Sequence, residues 1–295
     1  VRYFADAMLL VCTLLWGLTF SLVKDSLSET GPFLLNFLRF GGAAAILLTV
    51  SLFRGGRIAF SAWRRAFPLA VALTAGFAFQ TAGLVETRAH RSAFLTQMLV
   101  LFTPFLQLAF NHKRIGPGTA LGILIVLPGL YFLLSPSAVL EVSHGDMLSL
   151  GCAVCFAVYI VILDGVSQKE TLFDIVQVQV YLTALFSGII ALLSSERAPD
   201  SLSGTYIGSI TYLILATTIL TTFLQARYQK ESTPSRAAVL FSMEPVFGAA
   251  FAFAILGEQM GMRAFAGAGL ILAGVLVSEL WTTDRRILRS ADATA

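Results

Sequence analysis

The stretch Gly116-Pro117-Gly118-Thr119-Ala120-Leu121-Gly122, continued through Pro128 to Gly129, is answered 145 residues later by Gly261-Met262-Arg263-Ala264-Phe265-Ala266-Gly267 and, beyond it, by Gly274. The same offset of 145 pairs Gln80 with Gln225, Arg91 with Arg236, Leu95 with Leu240, Met98 with Met243 and Phe102 with Phe247. The chain is a duplicated unit of about 145 residues, and the unit is almost wholly apolar. Where a membrane protein repeats itself, the seam between the copies is where ligands bind and parts move.

Composition sets the medium. With 57% apolar residues, 13% charged residues and a mean hydropathy of +0.81, 295 residues carry too little polar surface to coat a soluble globule. The apolar stretches approach roughly 20 residues, enough as helices to cross a hydrocarbon core of about 30 Å. The sequence therefore predicts an all-α integral membrane protein whose first partner is the lipid bilayer. The alternating polarity of a β-barrel is missing. A net charge of +3, spread over loops, gives no footprint for nucleic acid. Cys12, Cys152 and Cys155 all fall within apolar spans, so Cys152 and Cys155 read as packing residues one turn apart and not as a redox pair. The first span is too long for a signal peptide, lacks a small-x-small cleavage site, and is read as retained.

Gaps in hydrophobicity give ten transmembrane spans, near 4–23, 33–53, 66–86, 92–111, 118–135, 146–164, 172–194, 205–226, 235–256 and 262–282. Thr30-Gly31-Pro32, Gly116-Pro117-Gly118 and Thr233-Pro234 carry the turn chemistry expected at helix starts. The loops on the side of the chain ends hold fourteen Lys and Arg, among them Arg64, Arg65, Lys113 and Arg285. The other side holds five: Lys24, Arg88, Arg91, Arg197 and Arg263. By the positive-inside rule both termini are expected in the cytoplasm. Five spans per copy is an odd number, so the second copy enters the membrane upside down. The expected organisation is a first five-helix repeat over 1–140, an inverted second repeat over 141–283, and a cytoplasmic tail over 284–295. The first two spans of each copy align at an offset of 140, with Asp6 over Asp146 and Trp16-Gly17 over Phe156-Ala157. The step from 140 to 145 falls near Ser194–Gly204.

A polar side chain in lipid is costly unless it faces protein or water, so the buried polar residues are the candidates for function. Glu244 stands in Phe241-Ser242-Met243-Glu244-Pro245, near the middle of the ninth span. It can titrate there by taking up a proton, bind a substrate ammonium, or bond to a neighbouring helix. Arg39, about one and a half turns into the second span, can snorkel to the headgroups or face a cavity, where its guanidinium suits a carboxylate. Its counterpart at offset 140 is Gln179, also polar. Gln80, Gln97, Gln225 and Ser242 complete a symmetric polar set, because Gln97 pairs with Ser242 and Gln80 with Gln225. Trp16, Phe79 and Tyr159 supply aromatic walls. Each glutamine alone also fits an interhelical bond. Glu86, Asp164, Glu258 and Glu279 sit at or near span ends, within reach of water, and are discounted. His90, His112 and His144 lie in separate loops, so no metal site is expected. Pro104 and Pro245 are hinge candidates, and a static kink suits them equally. The glycines of the fifth and tenth spans read as close-packing surfaces and a possible assembly face.

Enzymatic readings lack parts. There is no GxxxxGK[ST] phosphate loop, no HExxH, and no Ser/His/Asp set on apposed spans. No cofactor is implied.

In this arrangement the chain resembles the drug/metabolite transporter superfamily, EamA type. The likeness is carried by Met243-Glu244-Pro245-Val246-Phe247, Leu256-Gly257-Glu258 and Gly267-Ala268-Gly269-Leu270 through Gly274-Val275, with Trp16-Gly17 and Phe94-Leu95-Thr96 in the first copy. It covers essentially the whole chain. Two positions depart from the pattern: Lys113 stands where the family's glutamate follows the fourth span, and the proline expected at Val100 appears at Pro104. The resemblance implies a small-molecule exporter of the bacterial inner membrane, commonly for amino acids or related metabolites, working by alternating access without a cofactor. Drugs or nucleosides are the other substrates it allows. A carboxylate, a guanidinium, amides and aromatics together suit an amino acid. The rival reading is a non-transporting membrane scaffold or an intramembrane enzyme.

Overall fold

Apolar stretches of this length have to be helical in lipid, because a helix satisfies its own backbone N–H and C=O groups within one segment. The computed structural model describes residues 2–54, 58–111, 117–134, 141–166, 172–196, 202–228 and 240–292. Among these there is no strand. The helices are α1 (Arg2–Ser26), α2 (Pro32–Arg54), α3 (Phe60–Glu86), α4 (Ala89–Thr96), α5 (Leu99–Asn111), α6 (Pro117–Leu134), α7 (His144–Val166), α8 (Leu172–Leu193), α9 (Gly204–Tyr212), α10 (Thr221–Tyr228), α11 (Glu244–Leu256) and α12 (Met262–Asp292). A π-helical segment, Leu213–Leu220, joins α9 to α10 without a break.

Local chemistry sets several ends. Pro32 and Pro117 open α2 and α6, where a missing N–H costs nothing. The Ser203 hydroxyl caps α9 by accepting from the Tyr206 N–H at 3.0 Å. Gly257, left-handed at φ 65°, ends α11, and the Glu258 N–H turns back to the Ala252 carbonyl at 3.1 Å. That reversal aims Glu258 back at the bundle.

Six stretches are long and apolar enough to cross a membrane: Phe4–Ser26, Pro32–Phe53, Phe60–Glu86, His144–Leu163, Phe173–Leu193 and Gly204–Gln225. Ala120–Leu134, Glu244–Leu256 and Met262–Val277 are shorter apolar helices. The span expected over 92–111 is split into α4 and α5. The one expected over 235–256 lies partly outside the described residues, as do Lys113, Gly116 and Thr233-Pro234. Composition placed a tail from 284, but α12 stays helical to Asp292.

Lipid tails are as apolar as leucine, so membrane helices are held by close packing and hydrogen bonds. The opening glycine register is where α6 meets α12. A Cβ on Gly129 would lie 2.9 Å from the Gly267 carbonyl oxygen, one on Gly267 2.6 Å from that of Gly129, and one on Gly274 2.7 Å from that of Gly122. Gly122 and Gly267 are counterparts, as are Gly129 and Gly274, so the two crossings repeat one contact. These glycines pack closely against backbone within the chain. The other extensive pairings also join first copy to second: α3 with α7 and α8, α2 with α8, and α1 with α11. Gly17 lets α1 approach α11, since a Cβ there would stand 2.7 Å from that of Phe247. The copies interleave, and neither has a core of its own.

Gly267→Ala is expected to lower the melting temperature in detergent, because overpacking against backbone costs about 1–3 kcal/mol. Gly269→Ala, with open space around it, should leave it unchanged. Equal effects in a thermal unfolding assay would rule out the backbone contact as the reason for these glycines.

Candidate functional site

Two helices are interrupted at the same place in the repeat. α4 ends at Thr96, Gln97 and Met98 form a turn, and α5 begins at Leu99. At offset 145, Ser242 and Met243 form a turn before α11 begins at Glu244. Within the turns the N–H groups reach back three residues: Met98 to Leu95 at 3.1 Å, Val100 to Gln97 at 3.1 Å, and Met243 to Leu240 at 3.1 Å. The prolines do not make the breaks. Pro245 lies in the first turn of α11, and Pro104 lies within α5, past the interruption. The points of discontinuity are therefore Gln97-Met98 and Ser242-Met243, beside the two prolines and not at them. Interrupted helices expose polar backbone at membrane depth, which lipid tolerates only beside protein or a water-filled space.

Gln97 and Ser242 stand in the two turns, and Glu244 directly follows the second. Gln97 is 4% exposed and Gln80, on α3, is 7% exposed. Neither side chain, nor the Glu244 carboxylate, makes a hydrogen bond or ion pair with any described residue. Glu244 heads α11, where the helix dipole favours an acid. Ser242 is buried, and both Ser242 and Gln225 have interactions of their own.

A hydrogen-bonded ladder runs from α1 to α2 beside this site. The Trp16 indole N–H donates to the Thr221 hydroxyl at 3.0 Å, and that hydroxyl donates to the Thr217 carbonyl at 2.8 Å. Arg39 takes up the other side. Its Nε donates to the Thr218 hydroxyl at 2.8 Å and one terminal nitrogen to the Thr217 hydroxyl at 3.1 Å. The π-helical widening presents both hydroxyls, with Thr218 bonding five residues back to the Leu213 carbonyl. The guanidinium also lies 4.6 Å from the Phe77 ring centroid and 5.3 Å from that of Phe40. Arg39 is 4% exposed and makes no ion pair with a described carboxylate. Its head does not snorkel outward but is held inside the bundle by threonine hydroxyls and aromatic faces. The signal in the sequence was two Thr-Thr pairs four residues apart, at 217–218 and 221–222.

Trp16 also reaches the break in the second copy, with its ring centroid 5.5 Å from that of Phe241. Its counterpart Phe156 packs where Thr221's counterpart is Gly76, so close that a Cβ on Gly76 would lie 2.3 Å from the Phe156 ring. A hydrogen bond in one copy is thus replaced by shape in the other. The Tyr159 hydroxyl donates to Gln179 at 3.2 Å. Phe79 departs from the set: it is 40% exposed and packs against Gly151 on α7. Its neighbour Gln80 points about 100° away around the helix, as successive helical residues must.

A second polar cluster lies where charged residues had been discounted. Glu258 accepts from the Ala89 and His90 N–H groups at 2.8 and 3.2 Å, and the His90 ring lies 2.7 Å from it. Burial would raise the Glu258 carboxyl, but the His90 ring and these two N–H groups outweigh it and hold it below its usual range. Asp146, fully buried, takes Arg91 at 2.7 Å together with the Thr87 hydroxyl and the Ser143 N–H. Two of these residues belong to charges repeated at span ends, Asp6 with Asp146 and Arg91 with Arg236. Among the described residues no group of His, Cys, Asp and Glu could hold a metal ion.

Two grooves are present, of about 330 and 300 Å³. The first is bordered by Trp63, Arg64, Phe67 and Leu182, and the second by residues around Arg88 and Gln259. Neither includes Gln80, Gln97 or Glu244.

Long apolar helices, interleaved copies and helices broken at matching places in the repeat define a multi-pass membrane protein. The sequence profile of the EamA-like transporter family matches residues 3–135 and 143–280. The chain belongs to that family, within the drug/metabolite transporter superfamily. An uncharacterized transporter of Archaeoglobus fulgidus is 28% identical over 279 residues, covering 95% of this chain and 87% of the relative. The uncharacterized transporter YyaM of Bacillus subtilis is 26% identical, covering 92% of each. A crystal structure at 20% identity shares the fold, with a TM-score of 0.68 over 97% of this chain and 99% of the other.

Two outcomes follow from this geometry. Arg39→Lys should destabilise the protein, since an ammonium cannot hold both threonines and the ring faces at once, and each charge-assisted bond is worth about 1.5–3 kcal/mol. An unchanged melting temperature would refute that role. Because Glu258 titrates lower in the folded protein, its stabilisation is present above the ordinary carboxyl range of about 4.3 and is lost as pH falls through the folded value. Melting curves of the wild type and Glu258→Gln should differ at pH 7 and converge in acid.

Proposed function

We propose that this protein exports amino acids or related small metabolites by alternating access, as a secondary-active or facilitative transporter. The reading assigns ten spans to two inverted five-helix repeats in the bacterial inner membrane, with both termini cytoplasmic. α1 to α5 of the first copy would rock against α7 to α11 of the second around the paired breaks, with α6 and α12 as peripheral supports.

The observation that carries it is the coincidence of the two breaks with polar groups left without protein partners. Gln80, Gln97 and Glu244 in a dry seam would each forfeit hydrogen bonds at a cost of about 1–3 kcal/mol. Their side-chain atoms are not among the buried ones left without a partner, which suits a seam that water or substrate enters better than a dry scaffold. Gln80 and Gln97 offer amide donors and acceptors, Glu244 an acid for an ammonium or a proton, and Trp16 an apolar wall beside Arg39. Tyr159, Gln179, Gln225 and Ser242 would border the same space from the second copy. The grooves do not reach these residues, which suits an occluded state of the cycle.

Counterflow in proteoliposomes against labelled amino acids, nucleosides and cationic drugs tests the reading. Uptake of at least one amino acid is expected, with a pH dependence flattened in Glu244→Gln. Uptake confined to drugs or nucleosides would reject the amino-acid assignment, and a pH profile unchanged in the variant would reject proton coupling through Glu244.

A further inference from the structure

The turn between α3 and α4, residues 87–91, is clamped from both ends of the second copy. Glu258 holds the first N–H groups of α4 and the His90 ring, and an Arg88 terminal nitrogen donates to the Gln259 carbonyl at 3.4 Å. Asp146 holds Thr87 and Arg91, and Arg91 also donates to the Glu141 carbonyl at 2.8 Å. From the first copy, the Lys24 ammonium ties the end of α3 to α1 by donating to the Leu84 and Thr87 carbonyls at 2.6 and 3.0 Å.

We propose that this turn is the gate on its face of the membrane, and that Glu258 is the positioning residue whose release opens it. The proposal rests on the transporter reading above. Geometry supplies the first support. α4 is eight residues long, so the turn stands about 12 Å along the helix from the break at Gln97-Met98. The 300 Å³ groove lies over the turn, bordered by Arg88, His90, Arg91, Glu141 and Gln259. Water therefore reaches the turn from that face, while Ser92, the next residue down, is wholly buried against Ser149 at 3.0 Å.

Exposure separates the two clamps. The Glu258 side chain is 11% exposed, and the Asp146 side chain is 0% exposed. When Glu258 withdraws, water from the groove can take over its bonds to the α4 N–H groups and to His90. Asp146 has no such replacement, because parting it from Arg91 would leave a buried charge unpaired. Asp146 is thus the pivot and Glu258 the latch. Glu258 also comes from the short link between α11 and α12, so a shift of α11 at its own break moves the latch directly. The charged and titratable groups around Glu258 are His90, Lys24 and Arg88. Glu86 and His144 pair with each other at the exposed edge, 3.3 Å apart. The latch has no chemical twin: its counterpart at offset 145 is Lys113, outside the described residues, and an ammonium offers no lone pair to an N–H.

The test needs no substrate. In a chain with Cys12, Cys152 and Cys155 replaced by alanine, Thr96→Cys places one thiol at the foot of α4. A membrane-impermeant maleimide is then applied from each side of the membrane in turn. Slow labelling from the side bearing the turn is expected in the parent, rising about ten-fold or more in Glu258→Ala as the closed state loses its preference. His90→Phe, which removes one of the three bonds, should give a smaller rise, and Glu86→Gln none. Labelling unchanged in both Glu258→Ala and His90→Phe, or raised equally from the two sides, overturns the gate. Should Glu258→Ala fail to fold, His90→Phe decides alone. Because labelling is read without transport, a gate that opens in a protein with no counterflow of the labelled panel upholds this proposal and removes only the substrate assignment above.

Discussion

A backbone placed in hydrocarbon has to satisfy its own N–H and C=O groups, and the rest of this structure turns on where it does and does not. Uninterrupted helices discharge the obligation along most of the chain. The exceptions are few: the turns at Gln97-Met98 and Ser242-Met243, the π-helical segment over Leu213–Leu220, and the first turn of α4. Gln97, Glu244, Arg39 and Glu258 each stand at or beside one of these. At the breaks polar side chains are left open, at the π segment threonines are turned toward Arg39, and at α4 a distant carboxylate supplies what the helix cannot.

Close approach makes those exceptions sustainable. Glycines let α6 reach α12 and α1 reach α11 at distances that leave no room for a Cβ. The interleaving that results puts each broken helix against elements of the opposite copy, so that Phe241 meets Trp16 and Thr96 lies beside Cys152. A rearrangement at one break is therefore felt in the other copy through packed side chains. Rigid pairs such as α6 with α12 have no polar residue at their crossing to reorganise. They suit support more than motion.

Much of this was legible in the residues. Apolar length gave helices, and the register of glycines gave duplication. The buried polar residues were found because the cost of a polar group in lipid does not depend on tertiary detail. Their partners were less accessible. Gln80, Gln97 and Glu244 stood out correctly as polar groups in apolar spans, yet nothing in their spacing distinguishes an open amide from one bonded across helices, as Asn36 is to the Phe77 carbonyl and to Thr81. Phe79, read as an aromatic wall, packs against Gly151 on α7, while Gln80 beside it faces another way. Glu258 was dismissed because water is near a span end, and that reasoning omits the reversal at Gly257 that turns the side chain inward.

The sequence by itself determined the medium, the helical class, the duplication and the inventory of costly polar groups, because each follows from composition or from a period along one chain. Only the tertiary structure decided which of those groups are satisfied. Arg39 finding two threonines on a widened helix, Glu258 finding the start of α4, and Gln97 finding no described partner are facts about segments far apart in sequence. Hydrogen bonds are short and directional, so their existence depends on where helices cross to within an ångström or so. That is information a hydrophobic pattern does not contain.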